Sequence, residues 1–327
     1  MAKTRERKIP EVLIWSDINN YSDDLAAMVV LAYLSDRKLI NIRGIITELG
    51  VYEVRRRRAM YAKGVMAHLG YPFLRAVPGG DYELQNEDEE NHYIENEFTP
   101  IFEKAGMTIH RSGTIFLQEY MKSVKEKNVF LLLTAPFADF GKYLKATHDT
   151  ILKKVKKIVV MGNVLQDKDE KGFYQPDLNS FNFKLCPDAA KFLFDYIQEK
   201  NIRTTVVPSA CVKDLKPDYG FLDSIKRSKN PVVKQLISMK DESNPITTAY
   251  DMIAALCLTD GVFKSAGGMI EKEEGCESSI SFASLPEPDL MRDKICEIFK
   301  EKLEPKTISM DHLSRPKQTE GERDKNA

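Results

Sequence analysis

The sequence has few cysteines, only one tryptophan and no long apolar run. Its five cysteines are widely separated and form no Cys-x-x-Cys pair, which argues against a disulfide framework or a zinc site and favours a reducing, cytoplasmic compartment. Apolar runs such as Leu25–Leu34 are far shorter than the roughly 20 residues of a membrane-spanning helix, and the charged start does not resemble a secretory signal. We therefore expect a cytoplasmic protein without a membrane partner.

Neither sign of charge is in excess. The chain has 48 Lys and Arg residues against 49 Asp and Glu residues, so its formal net charge is −1. Such a balance provides no broad basic field for nucleic acid, and we expect no nucleic-acid partner. Hydrophobic residues make up 43% of the 327 residues, which suffices for a large core and excludes a wholly disordered chain.

Apolar runs and helical stretches alternate along most of the chain. The predicted strands are Glu11–Ser16, Leu39–Thr47, Val129–Leu133, Ile158–Met161 and Arg203–Pro208, and the predicted helices are Leu25–Leu34, Arg55–Leu69, Asp139–Lys156, Pro187–Gln198 and Ala249–Leu258. This pattern predicts one α/β domain over residues 1–303, with a central, mainly parallel (mixed) sheet flanked by helices in a Rossmann-like topology.

Two segments interrupt the alternation. Residues 79–96 are acidic and rich in turn-forming residues, which predicts a surface loop that could serve as a substrate lid. Residues 304–327 are polar and contain no Phe, Tyr or Trp, which predicts a disordered tail.

Carboxylates are concentrated where the first predicted strand ends. Asp17 follows the strand, and Asp23 and Asp24 begin the next helix. Ligands of open α/β sheets bind outside the carboxyl ends of the strands, and carboxylate oxygens suit Ca²⁺ or Mg²⁺ better than zinc. Acidic residues in a first helical turn also complement the helix dipole, so Asp23 and Asp24 alone leave both explanations open. Helix capping does not explain Asp17, which favours a metal site.

Five short segments, of which this acidic one is the first, follow one another along the chain as a recognisable set of motifs. They are Asp17–Asp24 (DINNYSDD), Thr134–Asp139 (TAPFAD), Ile158–Gly162 (IVVMG), Ser180–Ala190 (SFNFKLCPDAA) and Tyr250–Ala255 (YDMIAA). Together they resemble the motifs of the inosine–uridine-preferring nucleoside hydrolase family, of which this chain would be a divergent member. The resemblance implies the nucleoside hydrolase-like fold, a homodimer or homotetramer, and Ca²⁺-dependent hydrolysis of the N-glycosidic bond of a ribonucleoside, giving free base and ribose.

The resemblance also implies a role for individual residues. Asp17 would be both a Ca²⁺ ligand and the general base for the attacking water. The remaining metal ligands would be Asp24, the backbone carbonyl of Thr134, and Asp251. Tyr250 would lie at the leaving base, and the substrate-binding residues would be Asn20, Asp23, Met161, Ser180, Phe181 and Asn182.

Several positions differ from the usual residues of that family. Tyr250 replaces a His that protonates the leaving base, and a tyrosine, with a reference pKa of about 10, is the weaker acid. His92 and His110 are alternative acids. Val51, Ser180, Ala210 and Asn163 replace the usual Asn, Glu, Asp and Gly. These changes do not affect the expected metal ligands. They therefore favour an enzyme that acts on a modified nucleoside or on a nucleoside altered at its 5′ position.

Two other functions remain as alternatives. A non-catalytic ribose- or nucleoside-binding protein on the same fold would also explain Tyr250, Val51 and Ser180. A haloacid-dehalogenase-type phosphatase also begins with a strand that ends in Asp and uses Mg²⁺, but its Asp-x-Asp is here Asp17-Ile18-Asn19. The basic run Arg55–Arg58 is expected to form a solvated helical face, and binding of an anionic group or of a partner is the alternative.

Overall fold

The computed structural model describes residues 8–18, 22–80, 96, 98–100, 112–124, 127–147, 153–213, 215, 228–239, 249–272 and 279–303. Asn20, His92 and His110, most of the predicted lid and the predicted tail lie outside these residues, so the expectations for them stay predictions.

The described residues contain one eight-stranded sheet. The strands are β1 (Glu11–Ser16), β2 (Asn41–Thr47), β3 (Ala76–Pro78), β4 (Val129–Leu133), β5 (Val155–Met161), β6 (Thr204–Val207), β7 (Met269–Glu271) and β8 (Ile280–Ser284). Their order across the sheet is β3-β2-β1-β4-β5-β6-β8-β7. Every neighbouring pair is parallel except β7 and β8, which are antiparallel. The predicted α/β domain with a mainly parallel, mixed sheet is confirmed.

Helices of the described residues connect and cover these strands. They are α1 (Ser22–Asp36), α2 (Tyr52–His68), α3 (Gly113–Ser123), α4 (Ala138–Thr147), α5 (Phe181–Leu185), α6 (Pro187–Glu199), α7 (Ser209–Val212), α8 (Pro231–Ser238), α9 (Tyr250–Leu256), α10 (Asp260–Ser265) and α11 (Pro288–Leu303). Within the described ranges, no helix is both long and apolar enough to span a bilayer.

The central strands are buried on both faces, which explains their continuous apolar sequences. In β1, Val12 and Ile14 join the core beneath α1, α9 and α11, while Leu13 and Trp15 join the core beneath α3, α4 and α6. Trp15 is fully buried, and its ring centroid lies 5.2 Å from that of Phe140. The single tryptophan of the sequence is therefore a packing residue.

The sequence pattern misplaced one boundary and missed several elements. Helix α4 ends at Thr147 and β5 already begins at Val155, so the charged stretch predicted as one helix to Lys156 includes the start of a strand. The first half of β5 contains two lysines among its apolar residues, which conceals its strand character. Strands β3 and β7 have only three residues each, too few for a recognisable alternation.

Candidate functional site

The ends of three neighbouring strands meet at the carboxyl edge of the sheet. Ser16 of β1 pairs with Thr47 of β2, and Trp15 of β1 pairs with Leu133 of β4. The residues that follow these strand ends continue the pairing, since Glu48 N donates to Ser16 O at 3.0 Å and Thr134 N donates to Trp15 O at 3.1 Å. Asp17, Glu48 and Thr134 therefore lie side by side at this edge.

Three carboxylates that are far apart in the sequence converge beside this edge. Asp17 follows β1, Asp24 lies in the first turn of α1, and Asp251 lies in the first turn of α9, which packs against α1. One carboxylate oxygen of each lies within 4.8 Å of those of the other two, and all three residues are buried. The packing of α1 against α9 therefore brings the late aspartate to the early pair.

This donor set fits a hard divalent cation. Two oxygens that each lie about 2.4 Å from a common ion are at most about 4.8 Å apart, and the three aspartates meet this limit. The donors are all oxygen, which suits Ca²⁺ or Mg²⁺. Within the described part of the chain, this is the one group of three or more acidic, His or Cys side chains with such spacing.

The raised pKa values of the clustered carboxyl groups also favour a cation at this place. Burial raises the pKa of Asp23 to about 8 and that of Asp24 to about 7, and repulsion from neighbouring carboxylates adds to both shifts. The pKa values of Asp17 and Asp251 are raised well above their usual range, first by burial and then by the other acids. A bound cation would lower these pKa values again, because its positive charge stabilises buried carboxylates and reduces the repulsion between them.

Hydrogen bonds hold the early part of the cluster in place. Ser16 Oγ donates to Asp24 Oδ1 at 2.6 Å and accepts from Ile18 N at 3.1 Å, so the last residue of β1 orients both Asp24 and the turn after Asp17. Asp24 N donates to Asp23 Oδ1 at 3.1 Å. Asp23 is 8% exposed, the largest exposure among the four clustered aspartates.

Thr134 and Asn182 meet at the end of β4, the strand next to β1. Thr134 Oγ1 donates to Trp15 O at 2.8 Å, which fixes the start of the loop after β4. Asn182, in α5, donates from Nδ2 to the carbonyl oxygen of Thr134 at 3.0 Å, and both residues are buried.

The other predicted substrate residues lie at strand and helix ends along the same edge of the sheet. Met161 is half-buried at the end of β5, Ser180 immediately precedes α5, and Phe181 begins α5 with 46% of its surface exposed. Tyr250 begins α9 and is half-buried; burial raises its pKa, and the nearby Asp23 raises it further.

The residues that depart from the resembled family have their own contacts. Ser180 Oγ accepts a hydrogen bond from Asn163 N at 2.9 Å, and Asn163 Oδ1 accepts from Ser209 N at 2.8 Å. Asn163 thus joins the end of β5 to α7, where the neighbouring Ala210 is exposed. Val51 is 43% exposed at the start of α2.

The expectation of a solvated Arg55–Arg58 face is wrong for two of its four residues. Arg55 and Arg58 are buried, because their spacing of three places both on the inner face of α2. Arg58 Nη1 donates to the carbonyl oxygens of Asp17 and Ile18, the latter at 3.0 Å, and Arg55 Nη1 donates to Gly80 O at 2.6 Å. A run of charges does not reveal in the sequence which of its members face inward.

Glu48 is a further buried acid that the sequence pattern did not single out. Its side chain has no exposed surface, and neither carboxylate oxygen has a hydrogen-bond partner among the described residues. The carboxyl group lies against Gly79, where an added Cβ would be 2.4 Å from Oε2. Burial and the charge of Asp139 raise the pKa of Glu48 well above its usual range. The sequence contained one sign that Glu48 lies at the site, since it directly follows β2 as Asp17 directly follows β1.

No model of a protein family matches the chain, and no curated protein matches it. Solved structures do match its fold. The type III effector protein XopQ, solved in complex with adenosine diphosphate ribose, is 20% identical with a TM-score of 0.76, over 91% of this chain and 96% of that one. The inosine-uridine preferring nucleoside hydrolase from Bacillus anthracis is 14% identical with a TM-score of 0.62, over 90% and 100% of the two chains. The purine-preferring ribonucleoside hydrolase from Gardnerella vaginalis is 14% identical with a TM-score of 0.58, over 88% and 98%.

These neighbours include hydrolases of different base preference, so the fold does not single out the inosine–uridine branch. The TM-score of the effector XopQ exceeds those of both hydrolases. The chain has the fold shared by nucleoside hydrolases and this effector.

Proposed function

We propose that this protein is a Ca²⁺-dependent hydrolase of the N-glycosidic bond of a ribonucleoside, and that its product is a free base and ribose. The observation that carries the proposal is the convergence of Asp17, Asp24 and Asp251, whose oxygens lie within 4.8 Å of one another. Nucleoside hydrolases among the structural neighbours support the same reaction class.

The predicted ligand and sugar-binding residues have distinct places in this chemistry. Asp17, Asp24, Asp251 and the Thr134 carbonyl would hold the ion, which when bound supplies positive charge that fixes sugar hydroxyls and acidifies a water. Asp17 takes the proton of the attacking water as the C1′–N bond breaks and the sugar gains oxocarbenium character. Asp23 and Asn182 bind the sugar hydroxyls.

Tyr250 supports departure of the base. Its hydroxyl stays protonated at neutral pH, because burial and the nearby Asp23 raise its pKa above the ordinary value. It therefore acts as a hydrogen-bond donor to the leaving group, and not as a strong acid. We expect the enzyme to prefer bases that leave without full protonation.

Ser180 and Val51, which the resemblance places near the 5′ end of the sugar, favour a substrate altered at that position. The Ser180 oxygen already accepts from Asn163 N, and the Val51 side chain is apolar, so these two positions offer a free 5′-hydroxyl fewer acceptors than the Glu and Asn usual in the resembled family. Adenosine diphosphate ribose, found in the XopQ complex, is a ribose substituted at this position. Binding of such a compound without turnover is the second candidate function.

The test is incubation of the protein with a broad panel of nucleosides, modified nucleosides, nucleoside monophosphates and adenosine diphosphate ribose, with Ca²⁺ or with a chelator. Release of free base with Ca²⁺ but not with chelator, detected by mass spectrometry, supports the proposal. Calorimetric binding of a panel member without base release favours the non-catalytic function. Phosphate release from phosphorylated members, without base release, contradicts both functions and indicates a phosphatase.

The cytoplasmic location and the homodimer or homotetramer are also proposals. Light scattering after size-exclusion chromatography tests the oligomer, and a monomer at micromolar concentration contradicts it.

A further inference from the structure

We propose that Arg58 is a positioning residue, which fixes the turn after β1 so that the Asp17 carboxylate points at the ion and at the attacking water. The inference rests on the proposed function of the site, but it concerns a residue of a different element, helix α2.

The Ser16 hydroxyl bonds Ile18 N in the turn that presents Asp17, and the two carbonyl groups of this turn need a separate donor. Asp17 and Ile18 follow the last residue of β1, so their carbonyl groups have left the hydrogen-bond ladder of the sheet. Arg58 Nη1 donates to both carbonyl oxygens, and the one at Ile18 is 3.0 Å away. One nitrogen thus fixes two successive peptide groups, and this fixes the direction of the Asp17 side chain.

Arg58 can do this because its own position is fixed. The residue is fully buried, and burial leaves a long side chain few alternative rotamers. Helix α2 is tied to the same edge of the sheet, since Thr47 Oγ1 at the end of β2 donates to Arg55 O at 2.7 Å. Arg55 Nη1 in turn donates to Gly80 O, beyond the end of β3. The helix therefore joins the ends of β1, β2 and β3.

The charge of Arg58 also matters at this place. A guanidinium stays protonated in proteins, and this one attracts the carboxylates of Asp17 and Asp24. Charge and position have opposite consequences for an incoming cation. Removing the charge alone strengthens Ca²⁺ binding, because the cluster becomes more negative, whereas releasing the turn weakens it.

Two variants separate these effects. Arg58→Lys keeps the positive charge but has no planar group that reaches both carbonyls, and Arg58→Met removes charge and donors together. Arg55→Met is the matched control, since Arg55 is also buried on the same helix and bonds the carbonyl of Gly80, not a carbonyl of the turn after β1. All three are compared with the unaltered protein at equal folded fraction, measured by circular dichroism.

The experiment measures Ca²⁺ affinity by calorimetry and, with the best substrate of the panel, kcat and KM at saturating Ca²⁺. Both Arg58 variants are expected to lose about 10- to 100-fold in Ca²⁺ affinity and in kcat, the size of effect typical of residues that orient metal ligands. KM is expected to change less than kcat, and Arg55→Met is expected to stay near the wild-type values in both. Partial recovery in Arg58→Lys relative to Arg58→Met also supports the proposal.

Tighter Ca²⁺ binding by Arg58→Met, or wild-type affinity and kcat in Arg58→Lys, overturns it. Equal losses in Arg55→Met and Arg58→Met overturn it as well, because they indicate a merely structural role. Failure of the proposed function gives a different result. If the unaltered protein binds Ca²⁺ but releases no base, the Ca²⁺ affinities of the variants still decide whether Arg58 positions Asp17.

Discussion

The Nδ2 amide of Asn182 donates a hydrogen bond to the backbone carbonyl of Thr134, at 3.0 Å, inside the crevice beyond β1 and β4. The carbonyl oxygen has two lone pairs, so one is free for an ion while Asn182 holds the other. The same hydrogen bond turns the Oδ1 atom of Asn182 away from the carbonyl, where it can accept from a sugar hydroxyl. One amide thus orients a proposed metal ligand and a proposed substrate contact.

Replacing Asn182 should therefore weaken two kinds of binding at once. Asn182→Ala is expected to lower kcat/KM by about 10- to 100-fold and Ca²⁺ affinity by a few-fold, as removal of a group that orients a metal ligand typically does. Steady-state kinetics and calorimetry measure the two effects. Asn179→Ala is the control, since Asn179 is exposed and its side-chain amide bonds the carboxylate of Asp177. An unchanged kcat/KM in Asn182→Ala would show that the amide contacts no substrate.

Asp17 has both a binding and a proton-transfer role in the proposed reaction. Asp17→Asn keeps the size of the side chain but removes the charge and the basic oxygen, so turnover should fall by at least about 10³-fold even at saturating Ca²⁺. Asp36→Asn serves as the control, because Asp36 is an exposed residue paired with Lys302 at the far end of α1. A kcat near that of the wild type in Asp17→Asn excludes the mechanism.

The sequence was most informative where a strand is buried on both faces. Strands β1 and β4 match their predicted bounds, because runs such as Glu11–Ser16 are uninterrupted and end at polar residues. The position of Asp17 at the edge of the sheet follows from β1 alone. Short strands such as β3 were missed, since three residues carry no periodicity.

The spatial partners of Asp17 could not be derived from residue spacing. Asp251 comes near it only through the packing of α1 on α9, and the sequence suggested this solely through the family resemblance. The burial of Arg58 could not be predicted for a related reason. Charged residues are mostly exposed, and only the tertiary fold shows which of them are not.

Tyr250 should contribute to turnover as a hydrogen-bond donor. Its pKa is raised by burial and by Asp23, so the hydroxyl stays protonated throughout the neutral range. Tyr250→Phe removes only this hydroxyl and is expected to lower kcat by about 10- to 100-fold for substrates with a poor leaving base. The loss should be smaller for a riboside with an activated leaving group such as p-nitrophenol. Equal losses for both substrates would place the hydroxyl away from the leaving group.

Stabilisation of the protein by Ca²⁺ should increase with pH. The pKa values of Asp23 and Asp24, about 8 and about 7, lie above the value of 3.8 for an unperturbed Asp. Between pH 3.8 and about pH 8, these two carboxyl groups hold more protons in the metal-free folded state than in the unfolded state. The free energy of unfolding therefore falls as the pH rises. Ca²⁺ binds the deprotonated carboxylate of Asp24, and its charge also favours deprotonation of the neighbouring Asp23, so the ion offsets this loss.

Thermal unfolding in Ca²⁺ and in chelator, at about pH 5 and about pH 8, measures this dependence. The increase in Tm on adding Ca²⁺ should be larger at the higher pH by at least about 3 °C. The variant Asp251→Asn, which lacks one of the three converging carboxylates, should lose most of the increase. An equal increase at both pH values would show that the ion does not compete with protons for these residues.

Glu48 should destabilise the folded protein as the pH rises. The pKa of Glu48 is raised well above its ordinary value of 4.5 by burial and by the charge of Asp139. Above pH 4.5 the unfolded chain releases this proton while the folded chain retains it, so the free energy of unfolding decreases with pH until the folded state also releases it. Glu48→Gln removes the titration, and the amide does not have to bury a charge.

In chelator, Glu48→Gln should therefore be more stable than the wild type at about pH 8, and the difference should be smaller near pH 5. Urea unfolding at the two pH values measures the difference. Glu53→Gln is the matched control on helix α2, because Glu53 is largely exposed and its pKa is lowered by Arg56. A Glu48→Gln variant that is less stable than the wild type at the higher pH would mean that the folded state stabilises the Glu48 carboxylate. Glu48 would then be an ionised group of the site, like the neighbouring Asp17.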